Sequence, residues 1–274
     1  MSDNDPELPP VLETIPAPPP PPPPASSLLA RLLNVFAIPN HVFDEVRVSR
    51  RAAGNWLVPM LLGGLTLALS AYVIFSMPTA QKQVNELLDK VREAQTSSVA
   101  QSVKDGKMTQ ADADQLLAMV DRMARPKVVQ AVMVTAALAY GVARIFWWAF
   151  VMWLLARAFL RAPIPYGKSL EVTGLASMIG VLSSVVLLVL TVRFGAAGSA
   201  SGLGLSVVEF NSPQSQTVVA VALNLMNFWL VGVLGAGLAR LTGRPWIRAT
   251  YLVFGYWLLS ELLVMALGAG AALK

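Results

Sequence analysis

LVPMLLGGLTLALSAYVIFSM, from Leu57 to Met77, contains no Asp, Glu, Lys or Arg. About 20 apolar residues at a rise of 1.5 Å cover the ~30 Å hydrocarbon core of a bilayer. The stretch therefore reads as a membrane-spanning helix. Four further apolar runs, three of them carrying at least one charged residue, read as spans at about 129–157, 171–192, 216–239 and 249–270. The expected fold is all-α: a polytopic membrane protein with five transmembrane helices, an N-terminal interfacial helix and an extramembrane helical hairpin.

Composition agrees. Hydrophobic residues make up 55% of the chain and charged residues 14%, against about 45–50% and 25% in soluble domains. The net charge of +5 is spread along the chain, whereas a nucleic-acid footprint needs clustered Lys and Arg on a soluble fold. No nucleic-acid partner is expected; the lipid bilayer is. The chain has no cysteine and one histidine, His41. Thiolate chemistry, cysteine-bound zinc and a Ser-His-Asp triad fall away, and no catalytic residue, cofactor or metal site is expected.

Three regions follow in order. Residues 1–25 are acidic and proline-rich, with an unbroken proline run from Pro18 to Pro24. Such a segment favours extended polyproline II rather than a core. It reads as a disordered tail, either a stiff spacer or a docking site for a proline-binding module. It lacks the basic start and early apolar stretch of a signal peptide. Residues 26–55 form an amphipathic segment. Ser26 or Ser27 can cap a helix, Leu28, Leu29, Leu32, Val35 and Phe36 recur at helical spacing, and Val42, Phe43 and Val46 continue beyond Pro39. It suits the membrane interface, or packs on the cytoplasmic ends of the spans. Residues 56–274 form the membrane domain, entered through Trp56 and Pro59, with Pro in the first helical turn.

The insert 79–127 carries two amphipathic patterns. Val84, Leu87, Leu88 and Val91 mark one, and Leu116, Leu117, Val120 and Met123 the other. A turn is expected near Asp105-Gly106, and Thr109 with Asp112 signals a helix start. A calcium loop is excluded: with Gly106 in sixth place, Gln101 and Val103 would occupy ligand positions. The tail and this insert are the expected surfaces for protein partners.

Short loops rich in Lys and Arg stay cytoplasmic. Arg157, Arg161 and Lys168 lie between spans two and three, Arg240, Arg244 and Arg248 between four and five, and Arg47, Arg50 and Arg51 before span one. The link between spans three and four has only Arg193. The insert, with eight basic and seven acidic residues, is nearly neutral. The N-terminus is expected in the cytoplasm and the C-terminus outside it, in the cell (inner) membrane.

Phe36-Ala-Ile-Pro39-Asn-His-Val-Phe43, followed by Trp56-Leu-Val-Pro59, resembles the opening of Yip-type (Rab-GTPase-interacting protein) membrane domains. Gly167-Lys168-Ser169, the stretch Gly232 to Gly237 and Thr242-Gly243 add to the likeness, which covers about residues 28–270. The resemblance implies a five-helix membrane domain with a cytoplasmic N-terminus. Eukaryotic members of that family bind Rab GTPases; bacterial members have no such partner. An Ala-, Gly- and Pro-rich composition points to a bacterial member, so the Rab role is not carried over. The proline-rich tail and the insert depart from the family pattern.

Few residues invite chemistry. Ala162-Pro-Ile-Pro-Tyr-Gly167-Lys168-Ser169 loosely matches a phosphate loop, but Pro163 and Pro165 have no N–H to offer a phosphate, so a tight cytoplasmic turn is expected. Arg144 and Glu261 each sit near the middle of a span, where a charge costs at least a few kcal/mol. They are expected to pair between spans two and five, as a static clamp or as a substrate or proton site; the alternative is that the two ions are solvated separately. Asn224 and Asn227 share one face of span four, and Ser177, Ser183, Ser184 and Ser260 extend the polar interior. Gly232, Gly235 and Gly237 are expected to permit close packing. A membrane scaffold or adaptor is the leading reading, and a small transporter or channel at Arg144 and Glu261 the rival.

Overall fold

The computed structural model describes residues 26–194 and 213–272, with side chains described from Leu225 in the penultimate helix and to Leu263 in the last. The proline-rich tail, the Gly/Ser-rich stretch and Lys274 lie outside the described residues. The described residues form ten helices: α1 (Leu28–Ala37), α2 (Pro39–Val48), α3 (Gly54–Ser76), α4 (Pro78–Lys104), α5 (Gln110–Met123), α6 (Pro126–Ala158), α7 (Tyr166–Ala176), α8 (Met178–Phe194), α9 (Pro213–Thr242) and α10 (Trp246–Ala272). Strands are absent among the described residues.

Among the described residues four segments are long and apolar enough to cross a membrane: Gly54–Ser76, Pro126–Ala158, Tyr166–Arg193 and Leu225–Thr242. The protein is thus a multi-pass membrane protein. The third segment contains both α7 and α8, which meet at Ser177. The Ser177 hydroxyl donates to the Gly174 carbonyl at 2.6 Å, the kind of local back-bond by which Ser bends helices. The uniform apolar run of span three hid this break.

The first span also starts earlier than Trp56 and Pro59 imply. α3 begins at Gly54, which places Pro59 inside the helix rather than in its first turn. Pro59 has no N–H for the carbonyl of Asn55, four residues back. That part of α3 is where α7 comes closest: a Cβ on Gly174 would lie 2.6 Å from the Asn55 carbonyl oxygen. No residue larger than glycine fits there.

Helix starts follow local chemistry. The Ser27 hydroxyl accepts from the Ala30 N–H at 3.2 Å, and Thr109 accepts from the Asp112 N–H at 3.2 Å. Gly106 takes a φ of +68° in the turn that ends α4, a conformation glycine adopts without a Cβ penalty. Arg92 on α4 pairs with Asp121 on α5 at 3.2 Å.

The core lies toward one end of the bundle. Val35 of α1 and Val42, Phe43 and Val46 of α2 are fully buried in one core, α1 packing on α3, α7 and α8 and α2 on α7 and α9. Apolar burial of this kind is worth about 1.5–3 kcal/mol per large side chain, so α1 and α2 are part of the fold. The outer face of the same helices exposes Leu29, Leu33 and Val48.

Glycines set the closest helix contacts. A Cβ on Gly141 of α6 would stand 2.8 Å from Gly64 Cα of α3, and one on Gly235 would stand 2.8 Å from Thr250 Cα of α10. Gly237 packs on Val172 and Phe43. Gly232 differs: no described atom lies within 4 Å of a Cβ there, so its expected packing role does not hold among the described residues. Gly141→Ala should lower the melting temperature in detergent, in keeping with overpacking penalties of about 1–3 kcal/mol, while Gly232→Ala should match wild type. Equal melting of the two variants would contradict this packing.

Candidate functional site: two polar clusters

The cluster that the sequence did not announce is the more deeply buried. Lys168 lies in the first turn of α7, not in an open turn. Its ammonium donates to the carbonyls of Val46 at 2.6 Å and Ser49 at 2.9 Å. These carbonyls end α2, where the helix dipole favours a cation. Glu171, one turn further along α7, stands 3.2 Å from Lys168 Nζ. Asn55 at the start of α3 donates from Nδ2 to Glu171 Oε2 at 2.7 Å. Asn55 and Glu171 are each 1% exposed. One charge pair thus joins α2, α3 and α7, and every contact in it is positional. Lys168 points at protein carbonyls, which answers the phosphate-loop resemblance.

A second set of contacts holds the other side of α2. Arg240, near the end of α9, reaches Asp44 at 3.2 Å and donates to Asn40 Oδ1 at 3.3 Å, and Arg47 donates to the Arg240 carbonyl at 3.3 Å. On α1, Arg31 lies 3.4 Å from Glu45 of α2, and the Ser26 hydroxyl bonds the same carboxylate. Burial works against the Glu45 charge, but the Ser26 hydroxyl and amide, then Arg31 and His41, outweigh it and hold the carboxyl below its ordinary 4.5.

The end of the bundle that α2 covers is strongly basic. α2 touches both the start of α7 and the end of α9. The links α6 to α7 and α9 to α10 therefore lie at one end, and with them the exposed Arg157, Arg161, Arg244 and Arg248. Arg157 sits 4.6 Å from the centre of the Trp153 ring, a cation–π contact.

The residues singled out from the sequence gather elsewhere. Arg144, Asn227 and Glu261 line one cavity of about 440 Å³ between α6, α9 and α10, with Ser260 and Tyr140. Among the described residues no ion pair within 4.0 Å joins Arg144 to Glu261. The Arg144 guanidinium rests instead on Gly180 of α8, where a Cβ would lie 2.5 Å from Nη2. Ser177 and Ser184 line a small space beside it. Trp147 Nε1 donates to Tyr256 Oη at 2.8 Å, tying α6 to α10. The Asn224 side chain lies outside the described residues. No group of three or more His, Cys, Asp or Glu able to hold a metal occurs among the described residues.

A family model described as Yip1 domain matches residues 33–268. No curated protein and no solved structure matches the chain.

Two outcomes follow from the charged contacts. Removing one partner of a buried ion pair costs about 3–5 kcal/mol, whereas removing both is far milder. Lys168→Met and Glu171→Leu should each melt well below wild type, and the double variant should recover part of the loss; a double variant that simply adds the two losses would contradict the pairing. For Glu45, a folded-state pKa below the unfolded one gives a stabilisation that is whole above pH 4.5 and lost as pH falls through the folded value. Glu45→Gln should melt below wild type at neutral pH and converge with it in acid, as followed by thermal scans; a constant gap would contradict the assignment.

Proposed function

This chain belongs to the Yip1 domain family, and from that premise we propose that it is an integral membrane scaffold or adaptor without catalytic activity of its own. The observation that carries the reading is the clamped α1–α2 platform. Lys168 and Arg240 hold α2 to the bundle from two sides, so a fixed basic surface with Leu29, Leu33 and Val48 exposed stands beside the bilayer. A rigid, preorganised surface lowers the ordering cost of binding a partner.

Five spans are proposed, with α10 as the fifth: it is 27 residues long, enough for about 40 Å at the helical rise. The basic end then faces the cytoplasm of a bacterial inner membrane, by the bias of Lys and Arg in short loops. The N-terminus lies on that side, and the C-terminus and the α4–α5 hairpin on the other. Protein partners meet the platform, the proline-rich tail or the insert 79–127. A Rab GTPase is not proposed as the partner.

A photo-crosslinking residue at Arg50 or Lys107 tests the reading in cells. Discrete protein adducts at either position are the expected result. Adducts to lipid alone would count against a scaffold. A reporter fused after Gln95 should be active outside the cytoplasm; cytoplasmic activity would reverse the orientation.

A further inference from the structure

The cavity between α6, α9 and α10 plays no part in the platform, and its chemistry is specific. Counted from the helix ends at the basic face, Arg144, Asn227 and Glu261 each lie 14 or 15 residues in, which is about 21–23 Å at the helical rise. All three therefore sit near the bilayer midplane. Ionisable residues at that depth are expensive and mark ligand or ion sites by default. A cation and an anion at one level would ordinarily close on each other, yet here both face the same cavity with no ion pair between them among the described residues. Arg144 is drawn aside onto Gly180, where only glycine leaves it room.

The walls match a ligand carrying both charges. A planar guanidinium receives a phosphate through two parallel N–H bonds. An ammonium suits a carboxylate and the faces of aromatic rings, and Trp148, Tyr256 and Trp257 line the same cavity as Glu261, with Trp148 and Tyr256 edge to face at 5.5 Å. The volume, about 440 Å³, falls within the ~300–1,000 Å³ typical of ligand sites. Access is sideways. α10 rests mainly on α9 and touches α6 only lightly, largely through Trp147, Trp148 and Tyr256, which lie nearer the basic end. A ligand with acyl chains can keep them in lipid while its polar group enters between α6 and α10.

We propose that this cleft binds the zwitterionic phosphate-and-ammonium headgroup of a phospholipid, with the phosphate on Arg144 and the ammonium on Glu261. The site goes beyond the scaffold reading and does not depend on it.

The test uses the full-length protein in neutral detergent. Tryptophan fluorescence is suited to it, because Trp147, Trp148 and Trp257 line the cleft. Short-chain phosphatidylethanolamine should give a saturable change, and short-chain phosphatidylglycerol, which has no ammonium, a weaker one. Glu261→Gln should weaken the former about tenfold, the scale of one charge-assisted contact, and leave the latter unchanged. Gly180→Ala, which displaces the guanidinium without altering charge, should weaken both. Either variant is compared only where it elutes and melts as a folded protein, and the two act on opposite ends of the ligand. No saturable response to phosphatidylethanolamine, or an affinity indifferent to Glu261→Gln, would overturn the proposal. Free phosphoethanolamine binding as tightly as the lipid would also overturn it, assigning the cleft to a soluble zwitterion.

Discussion

Lys168 carries a charge into a largely buried place, and the arrangement of the basic end depends on how that charge is satisfied. Its ammonium closes the open carbonyls at the end of α2, Glu171 neutralises it, and Asn55 holds Glu171. The consecutive helices α2 and α3 meet α7, over a hundred residues later, at one ion pair. A buried pair of this kind adds little net stability over an apolar replacement, but losing one member leaves an uncompensated charge. Its contribution is position: it holds the end of α2 on α7, and Glu171 and Asn55 hold α7 on α3.

The same constraint explains the packing nearby. With α7 drawn onto α3, the α3 backbone passes so close to Gly174 that no Cβ is tolerated. Pro59 falls in the same turn, leaving the Asn55 carbonyl without its usual donor within the helix. On the far side of α2, Arg240 and Asp44 bring in the end of α9, and Gly237 lets α9 approach Phe43. Away from the basic end the packing loosens between α6 and α10, and there Arg144 and Glu261 line one cavity with no ion pair between them among the described residues.

Much of this was legible in the sequence. Length and hydropathy marked the spans, because lipid demands long apolar helices whatever else they do. Ser27, Thr109 and Gly106 announced local geometry because caps and turns depend on a few neighbouring atoms. Counting residues along the helices placed Arg144 and Glu261 near one another, and both line one cavity, without the ion pair expected of them among the described residues. What the pattern hid was tertiary. Lys168 read as one more cytoplasmic charge, since nothing in its neighbours tells that the end of α2, over a hundred residues earlier, lies on top of it. Ser177 sat within an apolar run and gave no sign of the break it makes. Gly232 looked like its neighbours Gly235 and Gly237, although the helix turns it away from the contacts they make. One usable signal was missed: Lys168 and Glu171 stand three residues apart at the mouth of a span, the spacing of facing side chains on a helix.

Hydrogen–deuterium exchange of the full-length protein in nanodiscs, followed at residues 39–48, tests the central claim most directly. If Lys168 locks α2 into the bundle, the amides of α2 exchange as slowly as those of α7, and Lys168→Met speeds both together. Exchange of α2 that is already much faster than that of α7 in the wild type would contradict the account, and leave α2 as a helix resting on the membrane surface.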